Sequence, residues 1–295
     1  MKLTLPIEEY MSPGHLACQG CGAVHGMRVS LKALGAKSIF AMPACCWTVI
    51  DGPFPYSSLE VPLLHTAFET TASAAAGIKA GLKATGREDV TVCGWAGDGG
   101  TVDIGLQALS GAAERNDDIL YFCYDNEAYM NTGNQRSGAT PYGAWTTTTP
   151  TKHFKKEFKK NIDDIVDAHR VPYHATASIA YLEDLYKKVL KAKEKTGFKF
   201  IHILCPCPSG WKSRTEDTIK LARLAVQTGV FPLYEAVDGV YTQTVATPAR
   251  KPVVEYLKLQ GRFRHLTEDD VREIQEAVDR QYAELEKRFR KPTAG

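Results

Sequence analysis

Two short segments constrain this chain more than any other feature: Gly97-Asp98-Gly99-Gly100 and, one helix and one strand later, Tyr124-Asp125-Asn126-Glu127. Residues 90–95 before the first segment and 119–124 before the second are apolar runs of strand length. Between them, residues 102–115 carry apolar side chains at helical spacing. A strand, helix and strand in this order form a right-handed crossover between parallel neighbours. The two carboxyl ends then lie side by side, where open α/β sheets take their ligands. Gly99 and Gly100 are expected to let the backbone turn tightly. The helix that follows offers free N–H groups and a positive dipole end to an anion. Asp98 and Asn126 supply one carboxylate and one amide oxygen, leaving other Mg²⁺ positions for waters and phosphate oxygens. The pattern reads as a metal–diphosphate cradle with the layout of a thiamine diphosphate site.

Cysteines give the second constraint. Cys18-Gln-Gly-Cys21-Gly22 is a tight Cys-x-x-Cys knuckle, Cys45 and Cys46 follow a strand near 38–42, and Cys205 and Cys207 follow one near 200–204. All three groups fall at strand ends or in loops, where thiolates can converge. Cys93 and Cys123 fall inside apolar strands and read as core residues. Disulfides do not suit a chain of 295 residues that can build its own core and begins with no secretory signal. A Cys-x-x-Cys pair alone leaves structural zinc and an iron–sulfur cluster equal. The neighbouring cofactor site favours the cluster, because redox chemistry there needs an electron outlet.

Six motifs in order then carry a family resemblance: Cys18-Gln-Gly-Cys21-Gly, Pro43-Ala-Cys-Cys46, Gly94-Trp-Ala-Gly-Asp98-Gly-Gly, Tyr124-Asp-Asn126-Glu-Ala-Tyr-Met-Asn131-Thr-Gly133, Thr140-Pro-Tyr-Gly-Ala-Trp-Thr and Cys205-Pro-Cys207-Pro-Ser-Gly-Trp211. Together they resemble the β subunit of 2-oxoacid:ferredoxin oxidoreductases, most closely the multi-subunit pyruvate or 2-oxoisovalerate type, from Pro13 to about Gly261. The resemblance implies that Asp98, Asn126 and the Ala128 carbonyl hold Mg²⁺. It implies that Gly97, Gly99 and Gly100 surround the diphosphate and that Asn131 faces the reacting carbon of the thiazolium. Cys18, Cys21, Cys46 and Cys207 match the ligands of a [4Fe–4S] cluster; Cys45 and Cys205 are the unmatched neighbours, only modestly disfavoured by sequence. The implied reaction is oxidative decarboxylation of a 2-oxoacid with electrons passing to ferredoxin, and acyl transfer to coenzyme A if the substrate is pyruvate-like.

The resemblance also implies what is missing. The Glu that hydrogen-bonds the aminopyrimidine comes from a separate α subunit in this family, so the cofactor is expected in a subunit interface, with a ferredoxin-like subunit among the other partners. Asn134 departs from the pattern, which usually carries an apolar residue there. It either faces a second carboxylate, as in oxalate, or bonds local backbone as asparagine does in turns. Three other readings stay open: an oxalate oxidoreductase β subunit, a non-redox thiamine diphosphate lyase with structural zinc, and a non-catalytic scaffold subunit. Gly97-Asp-Gly-Gly is not the dinucleotide fingerprint.

Alternation of predicted strands (38–42, 90–95, 119–124, 172–176, 200–204) and helices (23–34, 66–85, 102–115, 161–169, 179–196) implies an α/β fold with a doubly wound, mostly parallel sheet. Residues 1–211 are expected to form the cofactor and cluster domain, and 212–295 a helical C-terminal extension packing on partner subunits. Its last helix starts at a capping box, Thr267 to Asp270, and bears a stripe of Val271, Ile274, Val278, Tyr282, Leu285 and Phe289. His65 and Glu69 read as an i,i+4 helical pair with a packing role. The basic run at 152–160 reads as a partly buried, solvated segment rather than a ferredoxin-steering face. A net charge of +2 gives no broad basic face for nucleic acid, and no apolar run spans a membrane. A cytoplasmic location is expected.

Overall fold

Strands that are buried along their whole length are covered on both faces, and this chain has four in succession. Thr91–Gly97 (β3), Leu120–Asp125 (β4), Tyr173–Ser178 (β5) and Lys199–Leu204 (β6) are buried almost throughout. With Ser38–Pro43 (β1) and Leu63–Thr66 (β2) they form a parallel sheet; Tyr234–Val237 (β7) and Val240–Gln243 (β8) complete it antiparallel. The order is β2-β1-β3-β4-β6-β5-β7-β8. The structure, a computed structural model, describes residues 4–289.

Period-two alternation along the strands divides the core between two faces. Trp95, Phe122 and Ile203 point to one side, where Gly22–Leu34 (α1), Trp47–Ile50 (α2) and Leu182–Glu194 (α6) contribute to one apolar cluster. Val92, Tyr121 and Phe200 point to the other, against Thr71–Ala84 (α3), Leu106–Glu114 (α4) and Ile162–Asp167 (α5). The expected doubly wound, mostly parallel fold is present. The chain runs from β1 outward to β2 and then returns to β3 on the other side of β1. This reversal opens a crevice at the carboxyl ends of β1 and β3.

Three elements differ from expectation. Residues 66–70 are not helical: α3 begins at Thr71, and His65 lies on β2, where its Nε2 meets Asp51 Oδ2 at 3.1 Å. The His65–Glu69 helical pair therefore does not exist. β2 escaped notice because it is a four-residue, half-exposed edge strand without alternation. The region after 228, expected to belong to a helical extension, holds the β7–β8 hairpin, which pairs onto β5.

Residues beyond 211 thus continue the main sheet. Pro208–Trp211 (α7), Thr218–Gln227 (α8), Val254–Leu257 (α9) and Glu268–Arg288 (α10) follow in chain order. The capping box at Thr267 and Asp270 is formed in full. The stripe on α10 faces inward: Ile274 and Val278 share a core with Leu204, Trp211 and Leu221, while Leu285 and Phe289 pack against Tyr234 and Tyr241. Partner contacts by this section must use other surfaces. Among the described residues no helix is long and apolar enough to cross a membrane. Because Ile274 is buried within its own chain, Ile274→Ala should cost about 2–4 kcal/mol of stability. Thermal unfolding should show a lowered Tm with subunit association retained; lost association at unchanged Tm would assign the stripe to a partner.

Candidate cofactor cleft

Parallel register brings the motifs together. β1, β3, β4 and β6 are adjacent and aligned, so Ala44 to Cys46, Gly97 to Gly100, Asn126 to Ala128 and Cys205 to Cys207 all leave the same edge of the sheet. Ala44, Cys45, Cys46, Gly97 to Gly100, Asn126, Ala128 and Asn131 line one open cavity of about 180 Å³. Thiol and carboxylate–amide sites therefore adjoin.

The glycines serve a purpose other than the expected tight turn. Asp98 is already right-handed helical, and Gly99–Asp103 forms a π-helical turn leading toward α4. No left-handed backbone is needed at Gly99 or Gly100. What glycine provides is room: a Cβ at Gly99 would stand 2.3 Å from Tyr129 Cε1, and one at Gly97 would stand 3.2 Å from the Tyr124 ring.

Asp98 is 1% exposed. Ser137 Oγ donates to its Oδ2, leaving Oδ1 directed at Asn126. One terminal atom of the Asn126 amide lies 2.9 Å from the Ala128 carbonyl oxygen and 3.1 Å from Asp98 Oδ1. Filled by nitrogen, that position donates two hydrogen bonds; filled by oxygen, it brings three oxygens together. The two orientations interchange by rotation of the amide. Oxygens about 3 Å apart match the edge of an octahedron with metal–oxygen distances near 2.1 Å, as Mg²⁺ requires. These residues fit a hard divalent cation.

Electrostatics single out Asp98. Burial, then the charge of Asp125, pushes its pKa well above the ordinary carboxylate range, with Ser137 acting in the opposite direction. Burial also opposes ionisation of Asp125, but Lys159 and His202 outweigh it and hold that carboxyl below its usual range. His202 Nε2 donates to Asp125 Oδ2 at 3.0 Å and Nδ1 to Asp163 Oδ2 at 2.9 Å. Two acceptors require both ring nitrogens to carry protons. Burial lowers the His202 pKa, yet the two carboxylates raise it to about 9. Glu127 is neutralised by Arg262 and approached by Lys159 at 3.5 Å.

Exposure sorts the cysteines. Cys46, Cys207 and Cys21 are half-buried and Cys18 is exposed, whereas Cys45 and Cys205 are buried. Burial pushes the Cys45 thiol up to about 11, and Cys205 Sγ lies under α1 near Gly26. Burial pushes the Cys46 thiol up, and the nearby Cys45, Cys207 and Cys21 push it further. Cys207 is raised to about 11 by burial, with Cys21 and Cys18 adding to it. The four matched cysteines are neighbours but not yet an assembled ligand shell: among the described residues no three His, Cys, Asp or Glu side chains stand at metal-ligand spacing. Cys93 and Cys123 are fully buried, as read from sequence.

Asn131 is exposed at the mouth of the cleft, while Asn134 does not line it. Asn134 sits at φ +62° and its Nδ2 points to the Gly210 carbonyl at 3.4 Å. This left-handed backbone suits asparagine better than an apolar branched residue. In the 152–160 run, Lys155 is buried and Lys159 and Lys160 pair with Asp125, Glu127 and Asp103. Sequence reading missed Ser137, His202, Arg262 and the role of Trp211, whose Nε1 donates to the Asn126 carbonyl at 2.8 Å.

Comparisons with known proteins show the family. Residues 48–203 match the family model described as thiamine pyrophosphate enzyme, C-terminal TPP binding domain. The chain is 54% identical to the ketoisovalerate oxidoreductase subunit VorB of Pyrococcus abyssi, over 97% of this chain and 95% of that protein. It is 52% identical to the pyruvate synthase subunit PorB of Methanothermobacter thermautotrophicus, over 96% of this chain and 99% of that protein. A solved 2-oxoglutarate:ferredoxin oxidoreductase from Magnetococcus marinus shares the fold, with TM-score 0.59 and 22% identity over 72% of this chain and 79% of that one.

The raised His202 pKa gives a test of the network. A cation held in the fold stabilises fully below its unfolded pKa, near 6.5, and the contribution is lost as pH rises through about 9. Thermal unfolding should show stability falling across that window, and His202→Asn should flatten the slope.

Proposed function

The chain belongs to the β subunits of thiamine diphosphate-dependent 2-oxoacid:ferredoxin oxidoreductases, and we propose that it supplies the Mg²⁺–diphosphate half of the cofactor site together with a proximal [4Fe–4S] cluster. The observation that carries this reading is the single cleft lined by Cys45 and Cys46 on one side and by Asp98, Asn126 and Ala128 on the other. When bound, thiamine diphosphate supplies the chemistry that removes CO₂ from a 2-oxoacid, and the cluster supplies a one-electron outlet.

This chain's residues do the holding and orienting. Asp98 Oδ1, the Asn126 amide oxygen and the Ala128 carbonyl hold Mg²⁺, while Ser137 fixes the other Asp98 oxygen. Gly97, Gly99 and Gly100 border the diphosphate, and their lack of side chains lets the Tyr124, Tyr129 and Phe68 rings pack close against this turn. Asn131 lies at the cleft mouth, in position to donate to substrate. Cys18, Cys21, Cys46 and Cys207 are the cluster ligands, each less buried than Cys45 and Cys205. The aminopyrimidine Glu would come from a partner α subunit; a ferredoxin-like subunit and ferredoxin would carry the electrons onward, in the cytoplasm.

For substrate, a pyruvate or branched 2-oxoacid with coenzyme A is favoured over oxalate. Relatives of high identity are named for ketoisovalerate and pyruvate, and the Asn134 amide turns toward backbone. Membership among oxidoreductases likewise sets the zinc-bound lyase aside. Anaerobic viologen reduction by the purified complex should require coenzyme A and proceed with pyruvate or 3-methyl-2-oxobutanoate; reduction by oxalate alone would reverse the substrate assignment. Cys21→Ala should retain thiamine diphosphate in the complex, measured by extraction, while losing at least about 90% of viologen reduction. Normal reduction by that variant would remove Cys21 from the ligand set.

A further inference from the structure

Glu127 stands between two proposed metal ligands, Asn126 and Ala128, in a left-handed conformation at φ +65°. Side chains other than glycine adopt that region only when their surroundings enforce it. The enforcement is visible. The Glu127 N–H donates to Asp125 Oδ1 at 2.8 Å, and its carbonyl accepts from Thr140 Oγ1 at 2.7 Å. Its carboxylate is paired with Arg262, the two side chains being 2% and 3% exposed. The Arg262 guanidinium lies over the Trp211 ring, 4.1 Å from its centre, and Arg262 Nε donates to Gln260 at 2.9 Å. Trp211 in turn donates to the Asn126 carbonyl at 2.8 Å. Arg262 therefore contacts both the side chain of residue 127 and the ring that holds residue 126, while lying outside the cleft lining.

We propose that Arg262 is a positioning residue for the divalent cation. Through Glu127 and Trp211 it holds the left-handed turn that aims the Asn126 amide and the Ala128 carbonyl at Asp98. The inference rests on the metal–diphosphate reading of the cleft. It also gives residues after 211 a direct part in the site. A purely structural ion pair would lower stability without altering how the cation is held; a positioning pair alters the cation site itself.

The test uses the assembled complex with thiamine diphosphate and Mn²⁺ in place of Mg²⁺, reading the dissociation constant and the spectrum of bound Mn²⁺ by electron paramagnetic resonance. Arg262→Met should weaken Mn²⁺ binding by about tenfold or more, as loss of a ligand-orienting partner does, and broaden the spectrum. Adding Glu127→Gly should restore binding to within about threefold, because glycine takes positive φ without strain. Adding Glu127→Gln instead removes the unpaired carboxylate but keeps the strain, and should leave binding weak. Equal rescue by glycine and glutamine, or wild-type Mn²⁺ binding by Arg262→Met with only a lowered Tm, would overturn the inference. Should Arg262→Met fail to fold, Arg262→Lys carries the same comparison, because lysine lacks the planar fork. Wild-type complex that binds no Mn²⁺, or Asp98→Asn that binds it unchanged, would instead overturn the metal reading underneath.

Discussion

Everything at the site depends on the register of four adjacent parallel strands. β1, β3, β4 and β6 end at one edge of the sheet, and each is followed directly by a residue group that bears chemistry. No loop has to travel far to bring cysteine, carboxylate and amide together. Because these strands are buried on both faces, a one-residue slip in any of them would exchange its two apolar sets and strand bulky side chains such as Trp95 and Phe122. Core packing on either side therefore fixes the spacing between the thiol group and the Asp98, Asn126 and Ala128 oxygens.

Much of this was legible in the sequence because it is written in local signals. Apolar runs of strand length, helical spacing between them and glycines beside an aspartate are read without knowing any tertiary contact. The capping box at Thr267 is of the same kind and is formed as read. Two misses were local as well: β7 and β8 are joined by Asp238-Gly239, both at positive φ, and Asp-Gly between short apolar segments is a strong hairpin signal. The larger misses were not local. Ser137, His202, Arg262 and Trp211 act on Asp98, Asp125, Glu127 and Asn126 across separations of 39, 77, 135 and 85 residues. Nothing in composition or periodicity assigns a buried histidine on β6 to a carboxylate on β4. Sequence leaves Asn134 between a substrate contact and local backbone bonding, and its left-handed backbone and contact with the Gly210 carbonyl favour the second.

Residues after 211 looked like an addition to a finished domain, since the strand–helix alternation stops there. Two kinds of contact say otherwise. β7 bonds to β5 within the main sheet, and α10 shares a core with Leu204 at the end of β6. The section therefore covers apolar surface that the first 211 residues would leave open, and through Arg262 it supplies the counter-charge for Glu127. Removing it would uncover both.

Charge balance is consistent with the proposed binding of a cation and an anion together in this cleft. Asp98, Asp125, Glu127 and Asp163 are packed around or behind it, facing Arg262, Lys159 and a protonated His202. Three of the carboxylates have a cation at contact distance; Asp98 has only the Ser137 hydroxyl and the Asn126 amide. Asp98 is thus the one carboxyl of the four with no cation to favour its charged form, in keeping with a pKa pushed well above the ordinary range by burial and Asp125. Under the proposed function, a diphosphate arriving alone would oppose its ionisation further in a poorly screened setting. A divalent cation on the Asp98 oxygen would favour the charged form and attract the diphosphate, which would link the two binding events through this carboxylate. A lysine or arginine paired with Asp98 would supply the charge that the proposed function assigns to the cation. The absence of such a partner is what leaves that place open.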